Sequence, residues 1–300
     1  MIGIFFGLAT GALFATGAVL ARIGQRHRRD DDGLTMTILV NVTVLGLLSL
    51  TVMAPPWSTA GVLGLALGGV IGTLIGRFAS LRAVRLVGAT RASAFMTASP
   101  VVAAAAGWLL LGEGVEPLDA LGGLIVIAGL LALVRAKATP TSMIAGEAKM
   151  ADPRTKRLGF AFAAATPIAF GLGFVVKKWG LLRYDDAVLG AFIGSAAALA
   201  VVMAIDALGG RLGQRISDNF REIPWWFVAS GVAMSGALLT QFVALSYLDA
   251  WLVGVLQGTQ GLFAMFLGWM VLREEERIDG WVAASVLLVL AGVILIGLQR

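Results

Sequence analysis

Few polar side chains in this 300-residue chain could do chemistry, and most of them lie inside long apolar runs. Arg77 follows a glycine-dense stretch, Gly61, Gly64, Gly68, Gly69, Gly72 and Gly76. A guanidinium there can hold a carboxylate or phosphate through two parallel hydrogen bonds. The other reading is that it lies one turn from a basic helix end and extends to lipid headgroups. Gln257 and Gln260 are three residues apart, on one helical face, and Gln241 lies in the preceding apolar run. These amides can hydrogen-bond a polar solute or tie helices together. Asn41 reads as glue of the second kind, with solute contact as the alternative. Thr97 can line a path or return its hydroxyl to its own backbone. Trp108 and Trp269 read as interfacial belt residues, with cation–π recognition of a cationic solute as the sharper alternative, and Trp251 carries the same two readings. Arg77, Gln241, Gln257, Gln260, Asn41, Thr97 and Trp251 are therefore the candidate substrate-binding residues.

Enzyme chemistry finds little to work with. His27 is the single histidine and lies in an arginine-rich link, and cysteine is absent. The run Asp30-Asp31-Asp32 lacks fixed partner ligands and reads as a solvated charge run. The glycine clusters fall inside apolar runs and not at a strand-to-helix phosphate loop. No catalytic residue, cofactor or metal is expected. Glu113, Glu116, Asp119, Asp206, Asp249 and the run Glu274-Glu275-Glu276 all fall at the ends of apolar runs, so no carboxylate is placed for a proton relay.

The elements that would position these side chains follow from composition. The chain is 58% hydrophobic, 14% charged and has a mean hydropathy of +0.89, against roughly 25% charged residues in a soluble domain. About 20 apolar residues cross the hydrocarbon core, and the chain holds ten such runs: 2–21, 34–54, 60–81, 90–111, 118–134, 158–176, 187–206, 225–247, 250–272 and 279–298. Each must be helical, because lipid offers backbone groups no partners. The first run opens at Met1 without a small-residue cleavage site and reads as a retained span. The basic residues gather in links between runs, which argues against nucleic acid despite a pI near 10.1. The expected partners are a small-molecule substrate and the lipid bilayer, with the chain a monomer or homodimer.

The chain is also duplicated. At a constant offset of 161, Ala83 falls on Ala244, Ala89 on Ala250, Gly107 on Gly268, Trp108 on Trp269, Leu111 on Leu272 and Glu113 on Glu274. The first spans of the halves echo each other at an offset of 156, where Phe14 and Gly17 meet Phe170 and Gly173. The predicted organisation is a first repeat over 1–134, a basic linker over 135–157 containing Pro140 and Pro153, and a second repeat over 158–300. Five spans per repeat is an odd number, so the second enters the membrane from the opposite side. Inverted repeats around a midplane site are a transporter arrangement. The fold class is an all-α membrane protein of ten transmembrane helices in two inverted five-helix repeats.

The repeated pattern itself stands as Ala83-Val84-Arg85-Leu86-Val87-Gly88-Ala89-Thr90, then Pro100, then Leu111-Gly112-Glu113. In the second half it is Ala244-Leu245-Ser246-Tyr247-Leu248-Asp249-Ala250, then Leu272-Arg273-Glu274. It resembles the ten-helix EamA family of the drug/metabolite transporter superfamily. Gly261 stands where that pattern often has a mid-helix proline, so a bend in span 9 is an open question. The resemblance implies export or exchange of small metabolites or drugs through a cavity lined by helices 1, 3, 4, 6, 8 and 9. A flippase or scramblase of lipid-linked groups, or a membrane enzyme of similar topology, is the alternative. The expected location is the cytoplasmic (plasma or inner) membrane, crossed many times. Of 23 Lys and Arg, 18 fall in links on one side and four, Lys177, Lys178, Arg183 and Arg300, on the other. The positive-inside rule then puts both termini outside, whereas the resemblance implies both inside.

Overall fold

The computed structural model describes residues 1–27, 33–87, 92, 95–136, 153–210, 225–272 and 280–298. They form ten apolar helical spans. These are α1 (Ile2–His27), α2 (Leu34–Ser49), α3 (Thr59–Val87), α4 (Ser99–Leu111) and α5 (Pro117–Ala136) in the first half. In the second they are α6 (Pro153–Leu181), α7 (Ala187–Leu208), α8 (Trp225–Tyr247), α9 (Ala250–Gly258 continued by Gln260–Leu272) and α10 (Gly280–Gly297). Six spans are long and apolar enough to cross a membrane and four are shorter apolar helices. Large apolar side chains such as Phe5, Leu63, Trp108 and Leu287 lie on the outside, as a lipid solvent allows.

The helices pair mainly across the two halves. The α1–α8 contact has its counterpart in α3–α6, α2–α8 in α3–α7, and α1–α9 in α4–α6, while α2–α7, α4–α9 and α5–α10 pair with their own equivalents. A two-fold exchange of the halves generates this pattern, so the core is the seam between them. Lipid tails are as apolar as the helix surfaces, so association rests on close packing of small residues. The seam is built accordingly. A Cβ on Gly69 of α3 would overlap the Gly194 backbone of α7, and one on Gly173 of α6 would lie 2.6 Å from the Cα of Gly72.

Three helices are locally irregular. Within α3, residues Gly69–Gly76 form a π-helical stretch between α-helical segments; such stretches often accompany functional positions. The regular helix of α4 begins at Ser99 with Pro100 in its first turn, after Ala98 at φ −81° and ψ −9°. In α9, Thr259 interrupts the helix at φ −60° and ψ −13°, with its hydroxyl donating to the Leu256 carbonyl at 2.6 Å. The offset of 161 equates Ala98 with Thr259 and Pro100 with Gly261. The break is thus kept in both halves, though only one has the proline, which answers the question that Gly261 leaves open.

Some boundaries differ from those expected. The helix of α2 stops at Ser49, and α4 is regular only from Ser99. The larger difference is α6, which continues past the expected 176 to Leu181 and takes Lys177 and Lys178 inside the helix. We expect Gly69→Ala to destabilise the purified protein by about 1–3 kcal/mol or more through overpacking. Gly114→Ala, which meets no atom within 4 Å, should leave the thermal unfolding curve in detergent unchanged.

Candidate functional site

The polar side chains of four helices meet in a buried layer. Lys177 of α6 is 4% exposed. Its ammonium donates to Gln241 Oε1 of α8 at 2.9 Å and to Thr73 Oγ1 of α3 at 3.4 Å. It also lies 5.5 Å from the centre of the Phe242 ring, in cation–π range. Gln241 passes the interaction on, its Nε2 donating to Gln257 Oε1 of α9 at 2.5 Å. Glycine makes room for the lysine stem: a Cβ on Gly68 would lie 2.7 Å from Lys177 Cγ. Beside the layer, Thr10 of α1 donates to Thr240 of α8 at 3.0 Å.

Arg77 lies one turn further along α3 from Thr73. Its Nη2 donates to Met234 Sδ of α8 at 3.0 Å and reaches Thr37 Oγ1 of α2 at 3.5 Å, and the residue is half-buried. Asn41 is fully buried between α2 and α8. With its amide nitrogen turned toward them, it donates to Gly231 O at 2.9 Å, Ser235 Oγ at 3.0 Å and Thr37 O at 3.1 Å. These contacts tie α2 to α8. Arg77, Thr37, Asn41 and Ser235 continue the polar seam from the Lys177 layer.

The other candidates are not in the layer. The interruption at Thr259 separates Gln260 from Gln257, and only Gln257 meets Gln241. The Gln260 backbone N lies against Gly11 of α1. Thr97 is in the turn before α4, half-buried. Trp251 packs toward Gly123 of α5, and its buried indole N–H has no partner among the described residues. Trp108 is 66% exposed, as a belt residue would be; the side chain of Trp269 lies outside the described residues.

A second polar cluster closes the Met1 end of the bundle. Gly112 at φ 68° ends α4, and the following Glu113 N–H donates back to Gly107 O at 3.2 Å. This reversal folds Glu113 under α4. Its carboxylate pairs with Lys178 at 2.8 Å and accepts the Ala250 N–H at the start of α9, with both oxygens at 3.2 Å. Lys178 also pairs with Asp249 at 3.2 Å and donates to Leu248 O at 2.9 Å. One residue of the first half thereby locks α6 and α9 of the second. Gln241 is seven residues before Leu248 and Gln257 seven after Ala250, so the amide layer lies about 10 Å inside this cluster.

Sequence reasoning missed Lys177. In the sequence both lysines fall just past span 6 and read as topology determinants, with a cavity mouth as the alternative; in the structure each has a defined place in the bundle. A trace of this was readable, since Trp179-Gly180-Leu181 extends the apolar run beyond the lysines. Nothing local tells which lysine faces which helix.

The sequence matches the model of the EamA-like transporter family over residues 1–135 and 157–298. No curated protein matches it. A crystal structure of another protein, 19% identical, superposes with a TM-score of 0.70 over 99% of this chain and 96% of that one; at that identity it shows the fold alone. For the Met1-end cluster we expect Lys178→Met and Glu113→Gln to be non-additive in a double-mutant cycle on thermal unfolding, by roughly 0.5–3 kcal/mol. Additive effects would show that the ion pair is not energetically coupled.

Proposed function

The chain belongs to the EamA-like transporter family, whose members are membrane transporters and not enzymes, and from that premise we propose that it moves a small polar metabolite across the cytoplasmic membrane by alternating access, as an exporter or exchanger. The repeats 1–134 and 158–300 are the moving units in this reading, and residues 135–157 the link between them. The supporting observation is the polar layer in the seam between the halves. Thr73 comes from the first half and Lys177, Gln241 and Gln257 from the second. Polar groups at membrane depth are costly to keep and usually face a path or a site.

Mechanistically, the layer needs one route to each side of the membrane, never both together. The Glu113, Lys178 and Asp249 cluster stops the route on the Met1 side. Breaking it lets α4 part from the start of α9, because the Ala250 N–H has Glu113 as its acceptor. The two main-chain irregularities, before Ser99 and at Thr259, are places where α4 and α9 can bend about a common level. Solute binding and cluster release then alternate, which is how a ligand shifts a two-state equilibrium that it senses differently in each state.

The chain has no cysteine, so a single thiol reports access cleanly. In proteoliposomes, Gln257→Cys should be labelled from the Met1 side by a membrane-impermeant maleimide several-fold faster once Lys178→Ala is added. A thiol that no reagent reaches from either side, with or without that substitution, would defeat alternating access through this layer. Translocation of a fluorescent lipid with no flux of soluble solutes would instead favour a scramblase.

A further inference from the structure

Two adjacent lysines of α6 have opposite electrostatic surroundings. Lys178 has two carboxylates, Glu113 and Asp249. Lys177 is more deeply buried, and its partners are a neutral amide, a neutral hydroxyl and an aromatic face. Among the described residues no carboxylate lies within ion-pair distance of it. Its stem runs along Gly68 and Gly72 of α3, with Nζ 3.6 Å from where a Cβ of Gly72 would stand. That packing holds the ammonium within the bundle and away from the headgroups. A buried cation without a counter-ion is a strained arrangement, and it is relieved when an anion arrives from outside the chain.

The hydrogen-bond directions specify the same ligand. An ammonium has donors only. Gln241 must therefore turn its oxygen to Lys177, which turns its nitrogen to the oxygen of Gln257. The Gln257 amide nitrogen is left as the end of the series, and it has no partner among the described residues. Both ends thus present N–H groups: the remaining ammonium hydrogen at one, the Gln257 amide at the other. A ligand that completes this array brings acceptors and negative charge. The pseudo-symmetric positions lack this chemistry. At the offset of 161, Gln241 and Gln257 correspond to Ser80 and Met96, which touch at 3.7 Å.

We infer that the transported solute carries a carboxylate or phosphate group and that Lys177 is its counter-ion, oriented by Gln241 and joined by the Gln257 amide. The inference rests on the transport reading above and names its substrate class. Lys177 thereby takes the role that the sequence suggested for Arg77, whose guanidinium is engaged by Thr37 and Met234. Cationic solutes are disfavoured here, because they would face a fixed like charge.

The test uses full-length protein in phosphatidylcholine proteoliposomes. Labelled succinate, glutamate and glycerol 3-phosphate are compared with uridine, glucose and choline. Native protein should carry at least one of the anionic probes; Lys177→Gln should lower that flux at least tenfold, and Lys177→Arg should retain part of it. The ligand-free melting temperature separates binding from structure: Lys177→Gln should melt at or above the native value, since it removes an uncompensated charge, and the anion that is carried should raise the Tm of native protein only. Flux of neutral or cationic probes that Lys177→Gln leaves unchanged would overturn the anion assignment and leave transport standing. Absence of flux for every probe would overturn both. A Tm that rises only with phosphatidylglycerol, and with none of the soluble anions, would overturn the soluble solute in favour of a lipid headgroup.

Discussion

Backbone contact along α3 is the constraint on which the other distances depend. In a membrane the helices gain little from leaving lipid for one another, so the bundle is held where surfaces come close enough for dispersion and polar contacts to add up. Gly69 lies against Gly194 of α7, and Gly72 against Gly173 of α6. A Cβ on Gly69 would overlap the Gly194 backbone and one on Gly173 would lie 2.6 Å from the Cα of Gly72, so neither position admits a larger residue at that separation. It brings Thr73 within reach of Lys177 and leaves a groove for the lysine stem. The π-helical stretch over Gly69–Gly76 lies on the same segment, so the closest packing and the least regular backbone coincide beside the polar layer.

The two halves share geometry more than chemistry. Ala98 and Thr259 occupy equivalent positions with nearly the same backbone angles, one before a proline and the other before a glycine. Proline forbids the regular helix by removing a donor. Thr259 reaches a similar local result with its hydroxyl on the Leu256 carbonyl, beside two glycines, Gly258 and Gly261, which add backbone freedom. Likewise Gln241 and Gln257 meet where Ser80 and Met96 meet in the other half. A duplicated scaffold thus carries a polar site displaced toward one of its halves. In the proposed cycle, duplication supplies the interchangeable conformations and divergence the recognition chemistry.

The Met1-end cluster and the Lys177 layer divide two tasks between neighbouring residues. Successive residues of a helix point about 100° apart, so Lys177 turns to α3 and α8 while Lys178 turns to the ends of α4 and α9. One cation is neutralised by the chain and helps to close it. The other lies in the interior with an amide and a hydroxyl as its hydrogen-bond partners. The cluster and the layer are joined directly by α6, which carries both lysines.

The sequence by itself determined the class, the ten apolar spans, the duplication and the family, because span length and hydropathy are local quantities and the repeat is in register over many residues. It also singled out Gln241 and Gln257, since amides inside apolar runs are conspicuous. The pairing of helices across the halves, the place of Trp251 against α5 and the separation of Gln260 from Gln257 were decided by the tertiary structure. So was the difference between Lys177 and Lys178, two identical side chains side by side. Their partners come from residues about 60 to more than 100 positions away in the chain, and a buried charge is defined by what surrounds it, which only the packed bundle supplies.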